Sequence, residues 1–110
     1  MARIAVNALS LRPGGGLQVI AGLLSRFNTN HHYTILWSDP MSRDQLQRML
    51  TKHRHIDYIK PLNTSRSADL FLWQLTRMRG WLKSNEIGLY LGVNHHFDCG
   101  EIPQVIYHLN

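Results

Sequence analysis

Two groups of residues in this chain have types and spacing that could serve chemistry. Near the amino terminus, Gly14, Gly15 and Gly16 follow an apolar run, Arg3–Leu9, and precede an amphipathic segment. Glycines allow the backbone to approach a ligand closely, and the start of a helix offers unpaired N–H groups and a partial positive charge that suit phosphate. The pattern therefore favours a ligand-contacting loop over a simple strand-to-helix turn.

The second group lies near the carboxyl terminus. Asn94 and His95 follow an apolar segment, His96 is next to them, and His108 ends the last apolar segment. A histidine at the end of an apolar strand can serve a functional site, but it is also found as a hydrogen-bonded core residue. Both interpretations of His108 stay open on this evidence.

The carboxyl-terminal group could also suggest a zinc site, because His95, His96, Asp98 and Cys99 are close in sequence. Structural zinc sites usually combine two well-separated ligand clusters. The histidines at positions 31–32 belong to the opposite edge of the predicted sheet, so they do not supply the second cluster. We therefore expect no metal, and we interpret Cys99 as an ordinary thiol.

Alternating strands and helices must position these residues. Apolar segments of β-forming residues predict five strands, at residues 3–9, 33–37, 56–59, 87–91 and 104–108. Helical periodicity predicts three helices between them, which start after the glycines, at Ser42 and at Ser67. The alternation predicts an α/β fold, a Rossmann-like three-layer domain with a parallel sheet of order 3-2-1-4-5. Ligands bind such sheets at the carboxyl ends of strands 1 and 4, where both groups of residues converge.

The second helix carries a predicted amino-terminal cap. Asp39 and Pro40 predict a turn, and Ser42 with Gln45 three residues later predicts a capping box. The expected buried stripe of this helix consists of three apolar residues, Leu46, Met49 and Leu50.

The third helix is predicted to be the longest, over Ser67–Lys83. Four apolar residues are expected to line its buried face: Phe71, Leu75, Met78 and Leu82. Trp73 and Trp81, with basic residues beside them, could instead dock on a membrane. Packing against the sheet explains these tryptophans with fewer assumptions.

Length and composition predict one domain over residues 1–110. The hydrophobic content of 44% and the charged content of 17% are typical of a globular chain. No apolar stretch reaches the roughly 18 residues of a membrane-spanning helix, and no signal peptide is recognised. A single cysteine fits a reducing compartment, so we expect a cytoplasmic protein.

The net charge of +5 does not by itself identify a partner. The 12 basic residues are scattered, and the chain has neither a long basic run nor a nucleic-acid-binding motif. We therefore expect no nucleic acid. A phosphate-bearing ligand, another polyanion or an anionic membrane surface would suit the charge equally well.

The predicted architecture lacks a helix after its fifth strand, although a parallel sheet normally has both faces covered. We therefore expect the chain to be the front of a longer protein. In isolation, the fragment is expected to self-associate through the exposed sheet face or the edge of strand 5.

Two segments resemble a known family. Residues 4–8 (IAVNA), which lead into residues 13–16 (PGGG), resemble the start of the two-domain GT-B glycosyltransferases, in particular the retaining family 4. Residues 92–95 and 103–108 resemble the fourth and fifth strands of that family, whose fifth strand often ends in histidine. The resemblance covers the whole chain in element order and is specific mainly at its two ends.

The resemblance implies the amino-terminal, acceptor-side portion of a transferase for polysaccharide biosynthesis. The full enzyme would move sugar from a nucleotide-diphosphate sugar to a glycan or lipid-linked acceptor, without a further cofactor. Gly14, Gly15 and Gly16 would approach the donor phosphates, and His108 would be the catalytic residue near the transferred sugar. Residues 94–95 (Asn94 and His95) would line the acceptor cleft. The family's acidic donor-binding motif has no counterpart here, so the fragment alone is expected to be inactive, and a peripheral location on the inner membrane face is compatible with this function.

The alternative is a non-catalytic, flavodoxin-like or Rossmann-like module that binds a nucleotide or a partner. The dinucleotide fingerprint G-x-G-x-x-G is absent, because Leu17, Gln18 and Val19 follow the glycines. An acidic residue at the end of strand 2 is also missing, since Asp39 comes after it. Dinucleotide binding is therefore the weaker hypothesis.

Overall fold

A five-stranded parallel sheet organises the chain and carries helices on both faces. The computed structural model describes residues 2–64 and 66–109. The elements in these ranges are β1 (Arg3–Asn7), α1 (Gly15–Ser25), β2 (His32–Leu36), α2 (Pro40–Met49), β3 (Ile56–Ile59), α3 (Ser67–Thr76), α4 (Met78–Ser84), β4 (Leu89–Val93) and β5 (Gln104–Tyr107). None of the helices in these two ranges is both long enough and apolar enough to cross a bilayer.

The strand order is β3-β2-β1-β4-β5, and every pairing is parallel. Alternate residues of β1 face opposite sides: Ile4 and Val6 pack with α1 and α2, whereas Ala5 packs with α3 and α4. This arrangement confirms the predicted Rossmann-like α/β fold. It also places the reversal of strand order between β1 and β4, where a crevice forms in open α/β sheets.

The fourth strand lies two residues later than predicted. The Ile87 N–H donates to Leu82 O at 3.0 Å, so Ile87 still belongs to the connection that follows α4. The strand continues instead to Val93, which pairs with Tyr107 of β5. This register brings the ends of β4 and β5 level with each other.

The predicted capping box of α2 is wrong. Asp39 is the N-cap, and its Oδ2 accepts hydrogen bonds from the Ser42 N–H at 3.1 Å and the Ser42 hydroxyl at 2.8 Å. Pro40 occupies the first turn, where its missing N–H costs nothing. The buried Ser42 hydroxyl is also 3.0 Å from Leu11 O, which ties α2 to the loop after β1.

The predicted single helix over residues 67–83 is broken at Arg77, where φ is −119°. Trp73 and Met78 are both buried, but they are five positions apart. At about 100° per residue, a straight helix would turn them roughly 140° away from each other. The break lets each half bury its own face. Phe71 and Leu75, predicted to be core residues, are therefore 48% and 57% exposed.

The outer strand β5 is covered on one face only. Ile106 packs against the side that carries α3 and α4. Val105 and Tyr107 point to the side that carries α1, and they are 52% and 36% exposed. This part of the sheet keeps an open apolar strip among the described residues.

Candidate functional site

A cavity of about 630 Å³ opens at the carboxyl edge of the sheet, between the ends of β1 and β4 and the start of α3. Its volume lies within the range of roughly 300–1,000 Å³ that is typical of small-molecule sites. The lining residues come from three separate segments: Asn7, Leu9, Ser10, Arg12, Ser67, Ala68, Leu70, Phe71, Gln74, Val93, His95 and Phe97.

Asn7, the last residue of β1, forms the polar floor of the cavity. Its Nδ2 donates to Gln74 Oε1 at 2.7 Å and to the Tyr90 hydroxyl at 2.8 Å. Its Oδ1 accepts the Leu9 N–H at 3.1 Å. Burial raises the pKa of Tyr90 to about 12, although the hydrogen bond from Asn7 acts in the opposite direction. The floor is therefore a neutral hydrogen-bonded network that connects β1, α3 and β4.

Arg12 supplies the positive charge of the cavity. Its Nη1 lies 3.2 Å from Leu9 O, 3.1 Å from Leu11 O and 3.4 Å from Ser38 Oγ. Within residues 2–64 and 66–109, no carboxylate forms an ion pair with this guanidinium. One nitrogen thus anchors the group to the backbone, and the charge faces the cavity without compensation by a carboxylate.

Aromatic rings line another part of the cavity. The rings of Phe71 and Phe97 have centroids 5.8 Å apart in an edge-to-face arrangement, and His95 stands 6.4 Å from Phe97 in a similar way. Phe97 is buried, while Phe71 and His95 are exposed. The cavity thus combines an apolar aromatic surface with a single cation.

The glycine loop lies on the α1 side of the same sheet edge. Gly14 has a φ of +140°, which side-chain-bearing residues rarely adopt, and it is the N-cap of α1 without a side-chain hydrogen bond. A Cβ on Gly15 would meet nothing within 4 Å, whereas one on Gly16 would lie 3.1 Å from Leu109 Cδ1. The loop therefore presents uncapped backbone at Gly15, and the conformation that requires glycine is at Gly14.

The other predicted site residues separate into two places. Asn94 has a φ of +66°, and its Oδ1 accepts the Leu109 N–H at 2.6 Å. Because the Leu109 side chain lies beside Gly16, Asn94 is on the same side of the sheet edge as the glycine loop. His108 is exposed after β5, with its ring 6.4 Å from that of His96. His95 alone of the predicted residues lines the cavity. All of them lie at the carboxyl edge, but they do not form one cluster, and their roles stay predictions.

Most of the residues that line the cavity were not predicted from the sequence. Arg12 could have been noticed, because it directly precedes the Pro-Gly-Gly-Gly stretch. Ser67 and Gln74 carry no recognisable motif, and Phe71 was assigned to the core. Their convergence with the other two segments depends on how α3 packs against the sheet.

Two of the four residues considered as zinc ligands, Asp98 and Cys99, make other contacts. Asp98 accepts the Gly100 N–H at 2.9 Å and pairs with Arg79 at 3.0 Å; these contacts lower the pKa of Asp98. Burial raises the pKa of the Cys99 thiol, which points to Phe97 O. Across residues 2–64 and 66–109, no three histidine, cysteine or carboxylate side chains are grouped as a metal site would require.

No family model, no curated protein and no solved structure matches this chain.

Proposed function

We propose that this chain is the acceptor-side part of a glycosyltransferase that moves sugar from a nucleotide-diphosphate sugar to a glycan or lipid-linked acceptor. One observation carries the proposal: the end of β1 has the uncapped glycine loop on one side and a cavity of about 630 Å³ on the other. A transferase needs two neighbouring sites of this kind, one for donor phosphates and one for an acceptor.

The loop would stabilise the departing diphosphate. The first N–H groups of α1 have no intrahelical partner, and Gly15 leaves the approach to them open. Preorganised donors of this type stabilise developing negative charge without reorganisation. The remainder of the donor site would come from a second domain, and the proposal requires neither a metal nor a cofactor.

Leu109 contacts both Asn94 and Gly16, so Asn94 lies near the loop, and His108 directly precedes Leu109 in the chain. In the proposal, His108 lies beside the transferred sugar and His95 contacts the acceptor. Trp73 is buried, so the membrane contact first considered for it is excluded. The exposed Leu72 and Leu75 of α3 support peripheral contact with a membrane that carries a lipid-linked acceptor.

The test is a transfer assay with the product of the complete gene and a panel of nucleotide-diphosphate sugars. Release of the nucleoside diphosphate together with labelled acceptor is expected, and His108→Ala should reduce the turnover. His55→Ala is the matched control, since His55 is exposed at the start of β3. A complete absence of donor consumption across the panel would contradict the proposal.

A second candidate is a non-catalytic binding module that recruits a partner or a nucleotide. The exposed strip formed by Val105 and Tyr107 on β5 favours it, because another protein could cover this part of the sheet. The same assay separates the two candidates: a module would consume no donor.

A further inference from the structure

The charge of the cavity indicates what it can accept. Its twelve lining residues include one arginine and one histidine, but no aspartate or glutamate. Three aspartates outside the cavity lining interact with other groups. Asp69 lies 3.6 Å from Arg66, Asp98 pairs with Arg79, and Asp39 caps α2. A bound cation would therefore meet no counter-charge, whereas a bound anion would meet Arg12.

We infer that this cavity binds a sugar that bears an anionic group, either a carboxylate or a phosphate, with Arg12 as its counter-ion. The assignment of this sugar as the acceptor rests on the proposed function. The binding site itself rests on the cavity, its charge and its aromatic lining.

The geometry of Arg12 suits a fixed anion site. The Nη1 contacts to Leu9 O and Leu11 O hold the guanidinium against the backbone, and they leave Nε and Nη2 without a hydrogen-bond partner among the described residues. Two such N–H groups match the paired oxygens of a carboxylate or phosphate. Because the side chain is already held in place, less conformational entropy is lost when the anion binds.

The remaining lining suits a sugar ring. The Phe71 and Phe97 rings offer apolar surface to the C–H face of a pyranose. Ser10 and Ser67 offer hydroxyl groups to the sugar hydroxyls, whereas the Gln74 amide already bonds to Asn7 and to Leu70 O. Asn7 is already saturated by its own network, so it shapes the floor rather than reading the ligand.

The experiment titrates the 110-residue chain with D-glucuronate, glucose 1-phosphate, glucose and inorganic phosphate, with amide chemical shifts as the readout. At least one of the two anionic sugars should bind, with shifts around the cavity. It should bind about tenfold or more tightly than glucose or inorganic phosphate. The stronger of the two identifies the carboxylate or the phosphate as the group recognised.

Arg12→Gln should weaken that binding by about tenfold or more, and Arg12→Lys should restore only part of it, because lysine keeps the charge but lacks the paired donors. Arg26→Gln is the matched control, since Arg26 is an exposed arginine at the end of α1. Unchanged amide spectra away from the cavity would establish that the variants fold.

Equal binding of glucose and the anionic sugars, or binding that Arg12→Gln leaves unchanged, would overturn the inference. Binding of none of the four probes would overturn it as well. Its failure is distinct from failure of the proposed function, because transfer to a neutral acceptor would support the transferase alone. Conversely, Arg12-dependent binding without donor consumption would leave an anionic-sugar site on a non-catalytic module.

Discussion

The glycine loop and the cavity both follow β1, but they offer different chemical groups to a ligand. The loop offers backbone N–H groups around Gly15 and no side chain. The cavity offers side chains from β1, α3 and the segment after β4, with Arg12 as its charge. The loop is contiguous in sequence and depends on local geometry. The cavity depends on how three distant segments pack, so the two regions should respond differently to substitution.

The largest expected effect is on the loop. Under the proposed function, Gly15→Val should lower sugar transfer roughly a hundredfold, because a branched side chain would block ligand access to preorganised N–H donors. The fold should be retained, since a Cβ at this position meets nothing within 4 Å. Turnover with a nucleotide-diphosphate sugar and circular dichroism are the two measurements.

Gly22→Val provides the matched control for this variant. Gly22 lies in the same helix, and a Cβ there also meets open space. Valine has a higher helix propensity than glycine, so neither substitution should weaken the helix, and only the Gly15 variant should lose turnover. Comparable rates for the two variants would mean that the loop is only a turn.

A substitution in the cavity floor should lower the stability of the protein rather than block ligand access. Asn7→Leu would leave the Tyr90 hydroxyl, Gln74 Oε1 and the Leu9 N–H without their shared partner. We expect the free energy of unfolding to fall by about 2 kcal/mol. Urea denaturation measures it, and Asn30→Leu, at an exposed position, should change stability by less than about 0.5 kcal/mol. A floor variant as stable as this control would remove the contrast between the two regions.

The burial of the Tyr90 hydroxyl in the cavity floor can be tested by its ionisation. Because burial raises the pKa of Tyr90 to about 12, the folded state favours the neutral phenol. This contribution to stability is present below pH 10 and is lost as the pH rises towards 12. Burial also raises the pKa of Tyr33 and of Tyr58, so the test is whether Tyr90→Phe removes the latest ionisation in an ultraviolet titration at high pH. A Tyr90 ionisation near pH 10 would instead indicate that water reaches the floor.

The smallest expected effect concerns β5, which lies beside both regions. Its exposed Val105 and Tyr107 should produce weak self-association at high concentration, which Val105→Lys should reduce. Sedimentation velocity over a concentration series measures it, with Met41→Lys, on α2, as a control at another exposed apolar position. A monomer at every concentration would show that this strip does not pair copies of the chain.

The sheet was predictable because its signals are local. The apolar run from Arg3 and the glycines after it established β1 and the start of α1, and alternation with helices established the strand order. The break at Arg77 was not predictable from periodicity, because residues 71, 75, 78 and 82 form a convincing helical face. Packing against the sheet selected Leu70 and Trp73 instead. Because Leu70 and Trp73 face the sheet, Phe71 is exposed and lines the cavity.

Leu109 gives the chain a built-in spectroscopic reporter. Its N–H is held by Asn94, and its side chain lies where a Cβ on Gly16 would almost touch it. A methyl group so close to the loop should feel any displacement of the loop, or any charge that settles there, through its resonance frequency. The Leu109 methyl signals could therefore record when the glycine loop is occupied, without a label and without altering a residue of the loop.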